Sequence, residues 1–428
     1  MVDMSQRYPT LASMYHADSS ANIKSNHERA VRQRLEADST FRTGIMADSG
    51  ELFVAVPRQM SVKLESILDE ERDIALLWSR LPGVMRWNYI YNFIAEELVA
   101  TNEMEGVHST KKEADLAVKS AKAMVNASED SRGSGYKKDN NVRFGEFAKL
   151  YMNLTDEKTD LPQTLQDLRM IYDQAVQGEI DDKNLPDGEI FRKEDVEITG
   201  PHGVVHRGVA GEARISSMLT SMLYLTNSDE FPRVLSAIVS HFVFEYVHPF
   251  YDGNGRTGRY LLALYLCKAL ELPTVLSLAR IIAENKNVYY KAFSEAEDTL
   301  NAGELTSFVL TMLDFISQAQ HNLNDALTVE LNHVSHADKI CQIITKERHL
   351  SSHADNLLFK VMQEELFDNE KGFTLDDAAE MLNLSKQSAR RYCRELEKEG
   401  LIVRVSKKPL RLLASPDLRA RISSDDSM

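Results

Sequence analysis

The stretch His248-Pro249-Phe250-Tyr251-Asp252-Gly253-Asn254-Gly255-Arg256-Thr257-Gly258-Arg259 decides the reading of this 428-residue chain. Before it, Val234, Leu235, Ile238, Val239, Phe242, Val243, Tyr246 and Val247 recur at spacings of three and four, which predicts a helix that opens after Pro232 and ends at His248. After it, Leu261, Leu262, Tyr265, Leu266 and Leu270 predict a second helix, running from about Asn254 and stopping before Pro273. The stretch therefore sits in a tight loop between two helices.

Gly253, Gly255 and Gly258 spell the spacing of a dinucleotide fingerprint. That fingerprint needs a strand leading into its first glycine within a βαβ unit, and here a long apolar helix leads in, so the reading fails on context. What the residues can do chemically points elsewhere. Glycines at 253 and 255 permit positive φ and let backbone N–H groups approach an anion, while the second helix aims the positive end of its dipole at the same place. Arg256 and Arg259 offer two planar forks suited to more than one phosphate. Asp252 beside them calls for a cation, and Mg²⁺ commonly bridges one carboxylate and substrate phosphates. His248 is the available general base for a hydroxyl nucleophile, and Phe250 is expected to pin the loop into the core. A plain glycine-rich turn with a capping aspartate and surface arginines would explain each residue singly, but not all of them within one short loop.

Working outward, the runs Val196 to Thr199 and Val204 to Val209 flank Gly200-Pro201-His202-Gly203 and predict a β-hairpin, the only one expected before the C-terminal region. Further upstream, Trp87, Ile90, Tyr91, Ile94 and Leu98 mark an amphipathic helix that runs to Glu105 with Gly106 as its stop. Thr101 and Glu105 lie on one face of it at i, i+4 spacing. Residues 1–55 are rich in Ser and Asp with weak periodicity and are expected to form a loosely held arm that docking can partly order. Residues 128–141 read as a surface loop.

These residues carry a resemblance. The pattern His248, Phe250, Asp252, Gly253, Asn254, Gly255, Arg256, Arg259 resembles the signature of the Fic family at each defining position, and the likeness extends over roughly residues 60–320. The resemblance implies a mainly α fold, a Fic-type helical bundle with a β-hairpin flap. It also implies an autoinhibited protein adenylyltransferase: a nucleotidyltransferase moving AMP from the co-substrate ATP to a Ser, Thr or Tyr hydroxyl of a protein, the chain itself included. By carry-over His248 would deprotonate the hydroxyl and Asp252 would hold Mg²⁺ on the α- and β-phosphates. Asn254 with the backbone of Gly253 and Gly255 would form the anion hole, and Arg256 and Arg259 would bind the outer phosphates. The protein substrate would dock on the 196–209 flap by strand addition. Thr101-Asn-Glu-Met-Glu105-Gly106 resembles the family's inhibitory motif, with Glu105 pairing Arg259 in place of the γ-phosphate. In some relatives that glutamate also supports removal of AMP, and the sequence leaves this open.

A second pattern occupies the C-terminal part. Thr374 is a candidate cap of a short helix and Ser385 of a longer one reaching Gly400, followed by strand, turn and strand over 401–413, and this resembles a winged helix-turn-helix. Lys386, Arg390, Arg391 and Arg394 on its second helix, with Lys407, Lys408 and Arg411 in the wing, are candidates for DNA contact; such modules also dock proteins, and Glu395, Glu397 and Glu399 blunt the charge. The alternative function is accordingly a DNA-binding transcription regulator whose Fic core senses nucleotide. Charge supports looking only there: residues 371–421 hold 12 Lys and Arg against 7 Asp and Glu, whereas the whole chain carries −15.

At 43% hydrophobic and 27% charged residues the chain has the balance of a folded globular protein of two or three domains. The expected organisation is an arm over 1–55, a helical region with the inhibitory helix over 56–176, a catalytic core over 177–320, connecting helices over 321–370, the winged module over 371–415 and a tail over 416–428. No window reaches the roughly 20 apolar residues of a membrane span, no signal peptide opens the chain, and Cys267, Cys341 and Cys393 are odd in number and far apart. The expectation is a cytoplasmic protein without a membrane partner; a homodimer is one assembly left open.

Overall fold

The computed structural model describes residues 8–129, 142–156, 159–200, 203–366, 372–407 and 410–423. Most of the expected surface loop over 128–141, and Pro201 and His202 of the expected turn, lie outside the described residues. The fold is mainly α, as expected, with 68% helix. The chain divides into two compact units, residues 1–75 with 89–323, and residues 76–88 with 324–428.

The first unit opens with α1 (Leu11–Ala17) and α2 (Ile23–Leu35), then the antiparallel pair β1 (Thr40–Ala47) and β2 (Gly50–Ala55). Over the described residues 8–55 this replaces the loosely held arm with ordered elements, and it adds a hairpin ahead of the one expected at 196–209. The physical reason is burial by distant chain: Leu52, Phe53 and Val54 are buried, the Phe53 amide donates to the Gly303 carbonyl, and the Ala12 amide donates to Asn301 Oδ1 at 2.8 Å. Arg34 pairs with Glu304 at 2.6 Å. None of these partners is near in sequence.

Helices α3 (Arg58–Arg80), α4 (Gly83–Met104), α5 (Lys111–Glu129), α6 (Gly145–Asn153) and α7 (Leu165–Ala175) follow. Then come β3 (Glu197–Gly200) and β4 (Gly203–Arg207), paired antiparallel at the expected place. Helices α8 (Glu212–Asn227), α9 (Arg233–Val247), α10 (Asn254–Leu266), α11 (Leu272–Glu284) and α12 (Lys286–Glu297) complete the bundle, and α13 (Thr306–Arg348) leads out of it. The bundle centres on α9 and α10: every residue of α10 is buried, as is nearly all of α9. Both helices are buried on nearly every face, so the loop joining them is carried by the most deeply packed elements of the unit.

In the second unit α14 (Ser352–Glu365) precedes β5 (Phe373–Thr374), α15 (Leu375–Leu382), α16 (Lys386–Lys398), β6 (Ile402–Lys407) and β7 (Leu410–Ala414), with the sheet ordered β5-β7-β6. Thr374 caps α15 through a capping box with Asp377, and Ser385 caps α16, both as their side chains predict. Two boundaries shift. Residues 337–362, expected as part of a connector, supply Ala337, Ile344, Leu357, Leu358 and Met362 to the same core as Ala389, Leu396 and Leu412. Residues 416–428, expected as a tail, contain α17 (Pro416–Ser423), whose Leu418 and Ile422 join that core.

Candidate active site at the start of α10

Phe250 is the anchor. Its ring is fully buried, stacks on Tyr172 with centroids 3.6 Å apart and meets Phe191 at 5.5 Å. Burial of such a side chain is worth about 1.5–3 kcal/mol and a favourable ring pair about 0.5–1.5 kcal/mol more, enough to fix a short loop. Asn254 closes the loop from the other end: its Oδ1 accepts from the Phe250 amide at 2.9 Å and its Nδ2 donates to the Phe250 carbonyl at 2.8 Å. Its amide is thus engaged inside the loop rather than pointed at a ligand, and what Asn254 can offer an anion is its backbone N–H. Gly253 takes φ 79° and supplies no side-chain cap, so the first N–H groups of α10 lack an intrahelical acceptor.

Gly255 does a different job from the one its sequence context suggests. It is helical, without positive φ, but a Cβ there would collide with the Glu105 carboxylate. The missing side chain is what lets α4's end reach α10. There Arg259, 3% exposed at its side chain, donates through Nε to Thr101 Oγ1 at 2.6 Å, and through Nη2 to the Thr101 carbonyl at 3.1 Å and Glu105 Oε1 at 2.6 Å. Burial alone would lower the Arg259 pKa, but the charges of Glu105 and Glu245 and the Tyr289 hydroxyl hold it above its ordinary value. The expected pairing of Glu105 with Arg259 is present, with Thr101 as its second half.

Arg256 is 1% exposed, and its Nε and Nη1 are buried without a hydrogen-bond partner. Burial pulls its pKa down, opposed by the charges of Asp252, Glu105 and Glu179. Donors left unpaired in the interior are costly, and a planar fork with two open N–H directions beside helix N–H groups suits phosphate oxygens. Asp252 is partly exposed on the same loop. Among the described residues no group of three or more His, Cys, Asp or Glu is placed to hold a metal alone. A single carboxylate with substrate phosphates is the donor set that Mg²⁺ accepts, so Asp252 fits the role expected of it.

His248 stands at the C-terminal cap of α9 with φ 50°, an uncommon conformation for a non-glycine residue. Sequence reading missed what holds it. Arg192 is fully buried; its Nε donates to the His248 carbonyl at 2.8 Å, Nη1 to Glu194 O at 2.7 Å and Nη2 to Val209 O at 2.8 Å. A Cβ on Gly208 would strike that guanidinium. Neighbouring backbone is fixed by Glu212, whose carboxylate accepts from the amides of Glu189, Ile190 and Phe191 at 2.7–2.9 Å. Nδ1–H of His248 donates to the Glu245 carbonyl at 3.4 Å, leaving Nε2 as the lone-pair nitrogen. Burial, reinforced by the charge of His206, lowers the His248 pKa to about 4, so the ring is neutral near pH 7 and able to take a proton.

Glu245 was also missed, since one glutamate in an apolar run looks like an ordinary break. Its Oε1 is buried without a partner, and a Cβ on Gly258 would collide with it, so the third glycine makes room for a carboxylate facing α10. Burial lifts its pKa to about 7 against the pull of Arg259. Arg259 is therefore faced by Glu245 as well as Glu105, and its charge also reaches the buried carboxyl of Glu97.

The predicted site residues His248, Asp252, Gly253, Asn254, Gly255, Arg256 and Arg259 thus converge on one loop and one helix turn, with Thr101 and Glu105 against them. Lys386, Arg390, Arg391 and Arg394 belong to the other unit. The Fic/DOC family model matches residues 162–266. A probable protein adenylyltransferase of Aquifex aeolicus is 35% identical over 79 residues, 18% of this chain and 22% of its own length. The protein adenylyltransferase Fic of Drosophila yakuba is 27% identical over 183 residues, 42% of this chain and 33% of its own. The chain thus spans a third or less of the length of these curated relatives. A solved Fic family protein from Desulfovibrio desulfuricans G20 superposes with a TM-score of 0.45 at 18% identity, over 82% of this chain and 96% of that one. Among the described residues no helix is long and apolar enough to cross a membrane. The match to the Fic/DOC family model, over residues 162–266, spans the loop signature assembled at the start of α10, and over that segment the chain is similar to a Fic domain.

Proposed function

We propose that this protein transfers AMP from ATP to a hydroxyl side chain of a protein, and that in its resting form Glu105 holds the reaction off. The observation that carries the reading is Arg256: a buried guanidinium with two unpaired donors, beside the start of α10 and one loop away from a neutral His248. In the reaction the target oxygen forms a bond to the α-phosphorus as the bond to pyrophosphate breaks. Nε2 of His248 takes the hydroxyl proton. Arg256 and the N–H groups of Asn254 and Gly255 carry the phosphate charge, and Arg259, once released by Thr101 and Glu105, adds the second fork. Asp252 would hold Mg²⁺, which supplies further neutralisation of the phosphates. Positioning and electrostatics provide most of the acceleration. The β3–β4 hairpin, adjoining the loop through the Val209 amide on the Val247 carbonyl at 3.1 Å, offers an edge for the target backbone.

The test is intact-mass measurement after incubation with ATP and Mg²⁺, comparing Glu105→Gly with the same variant carrying His248→Ala. One added AMP on the first and none on the second is expected; unmodified protein in both, with a candidate target also unmodified, refutes the transfer reading.

A second reading, DNA contact by the C-terminal unit as a winged helix, is favoured by one observation. The glutamates that blunt the charge of α16 are committed internally: Glu395 accepts from the Ser351 amide at 2.8 Å, Glu397 bonds Arg404, and Glu399 lies 3.9 Å from Arg348. Arg390, Arg391 and Arg394 remain exposed on one face, while Lys386 pairs with Asp376. Arg411 donates to the Gly372 carbonyl, and the side chains of Lys407 and Lys408 lie outside the described residues. Binding to duplex DNA that weakens with salt and is lost in Arg390→Ala/Arg391→Ala supports this reading, and no binding at low salt refutes it.

A further inference from the structure

A neutral imidazole carries one N–H, so it can donate once and accept once; only the cation donates from both nitrogens. That rule separates two histidines on either side of the end of α9. His241 is buried, with the Gly258 carbonyl 3.0 Å from Nδ1 and the Tyr289 hydroxyl 2.7 Å from Nε2. The carbonyl accepts and the hydroxyl donates, so the neutral ring satisfies both contacts. Burial lowers its pKa to about 3, in agreement.

His206, on β4, meets different partners. Glu297 Oε2 lies 2.8 Å from Nδ1 and the Tyr246 carbonyl 3.0 Å from Nε2. Neither a carboxylate nor a carbonyl has a proton to give. Both contacts are hydrogen bonds only when the ring is an imidazolium, and the pair is well shielded, with side chains 11% and 21% exposed. The charged and titratable groups facing the ring are Glu297 from α12, Glu245 and the Tyr246 ring from α9, the latter with its centroid 5.7 Å away, and His248 at the end of α9, whose ring centroid is 6.0 Å away.

We propose that His206 is a positioning residue that works as a doubly protonated pin, its imidazolium tying β4 to both α12 and the end of α9 so that the hairpin edge is set beside His248. Burial would lower the His206 pKa, but the hydrogen bond and charge of Glu297, with the Tyr246 carbonyl and Glu245, raise it above its ordinary value. The sign follows. A group whose folded pKa is raised contributes fully below its unfolded pKa, about 6.5, and its contribution is lost as pH rises through the folded value. Above that value the ring keeps one hydrogen bond and must leave an acceptor unpaired. The hairpin is then held at one point instead of two, and the positive charge that helps keep His248 unprotonated disappears. The consequence for target docking rests on the reading of the hairpin as the docking edge; the pin itself does not.

The experiment uses the full chain without nucleotide or target. Histidine ring titrations are followed by NMR, with His206→Gln assigning the resonance, and amide exchange of the described hairpin residues 197–200 and 203–207 is measured across the same pH range after correction for intrinsic exchange. The expected result is a His206 ring titrating above about 6.5 in the wild type and lower in Glu297→Gln. Hairpin protection should fall about tenfold as pH passes the wild-type value, the scale of losing one charge-assisted hydrogen bond. A ring that titrates at or below the free value, or a hairpin whose protection is indifferent to pH and to Glu297→Gln, overturns the proposal. His206→Gln should exchange quickly at every pH, which separates loss of the pin from loss of fold, since amides of α9 and α10 should stay protected. Both readouts are independent of transferase activity, so a chain that transfers no AMP still tests the pin, and a failed pin leaves the transfer reading standing.

Discussion

Arg256 and Arg259 stand one turn apart at the start of α10, both buried, both expected to hold phosphate, and their surroundings are opposite. Arg259 makes three hydrogen bonds to Thr101 and Glu105 and is faced by Glu245 as well. Arg256 has two donors with no partner. The side of the turn toward α4 is closed by the protein's own groups, whereas the side toward Asp252 is left wanting an anion. An unsatisfied buried guanidinium weakens the folded state and persists where function repays it. The asymmetry separates the two tasks: Arg256 is ready for a nucleotide at all times, and Arg259 becomes ready only when the end of α4 lets go.

The largest expected effect breaks the open side. Arg256→Ala should lower AMP transfer by about 10²–10³-fold, the usual result of removing one pre-placed donor to transition-state charge, while leaving the melting temperature unchanged or slightly raised. Arg259→Ala should also lose activity but lower stability by about 1–3 kcal/mol, because Thr101 and Glu105 are left unpaired. Thermal melts beside transfer rates distinguish the two; equal destabilisation would mean that Arg256 has partners within the fold. Opening the closed side comes next. Glu105→Gly should tighten ATP binding about 10–100-fold, the worth of a charge-assisted hydrogen bond that no longer competes, as read by calorimetric titration with Mg²⁺. Unchanged affinity would show that Arg259 does not meet the nucleotide.

How much of this was legible in the sequence depends on whether a residue acts through its neighbours in the chain or through distant backbone. The helices around the motif, the loop anchored by Phe250 and the Thr101–Glu105 face could be read because period and spacing carry them. Arg192 could not: its acceptors are main-chain carbonyls up to 56 residues away, and a lone arginine advertises nothing. At Gly255 the sequence suggests positive φ beside an anion, whereas in the fold it is helical and the room left by its missing side chain is taken by the Glu105 carboxylate. Residues 8–55 look loose in the sequence because their order comes from Gly303, Asn301 and Glu304, which no local pattern reveals. On α16 the sequence counted three glutamates against the basic face, and only the fold shows that each is turned to an internal partner.

A finer cut through the closed side is Thr101→Val, which keeps the shape and deletes the hydroxyl that accepts from Arg259 Nε. The Glu105 bond remains, so the release should be partial, an increase in ATP affinity of about three- to tenfold, below that of Glu105→Gly. If Thr101→Val matched Glu105→Gly, the hydroxyl and not the carboxylate would be the effective latch.

The smallest effect concerns the second acid facing Arg259. Burial, with the nearby Glu105 charge, raises the Glu245 pKa to about 7; removing Glu105 lowers it somewhat, and the carboxyl still ionises further as pH rises from 6 to 8. When neutral it leaves the Arg259 charge to the phosphates; when ionised it competes for that charge. In the Glu105→Gly background ATP should therefore bind more tightly at pH 6 than at pH 8, by about two- to threefold, a modest figure because the carboxylate lies beyond ion-pair distance and the effective dielectric is high. Glu245→Gln should flatten this part of the dependence while keeping the room made by Gly258 filled. ATP titrates identically in both proteins, so the difference between the two profiles reports Glu245 together with its effect on His206, whose pKa it helps raise. Parallel profiles would mean that Arg259, once freed from Glu105, is answered by the nucleotide alone.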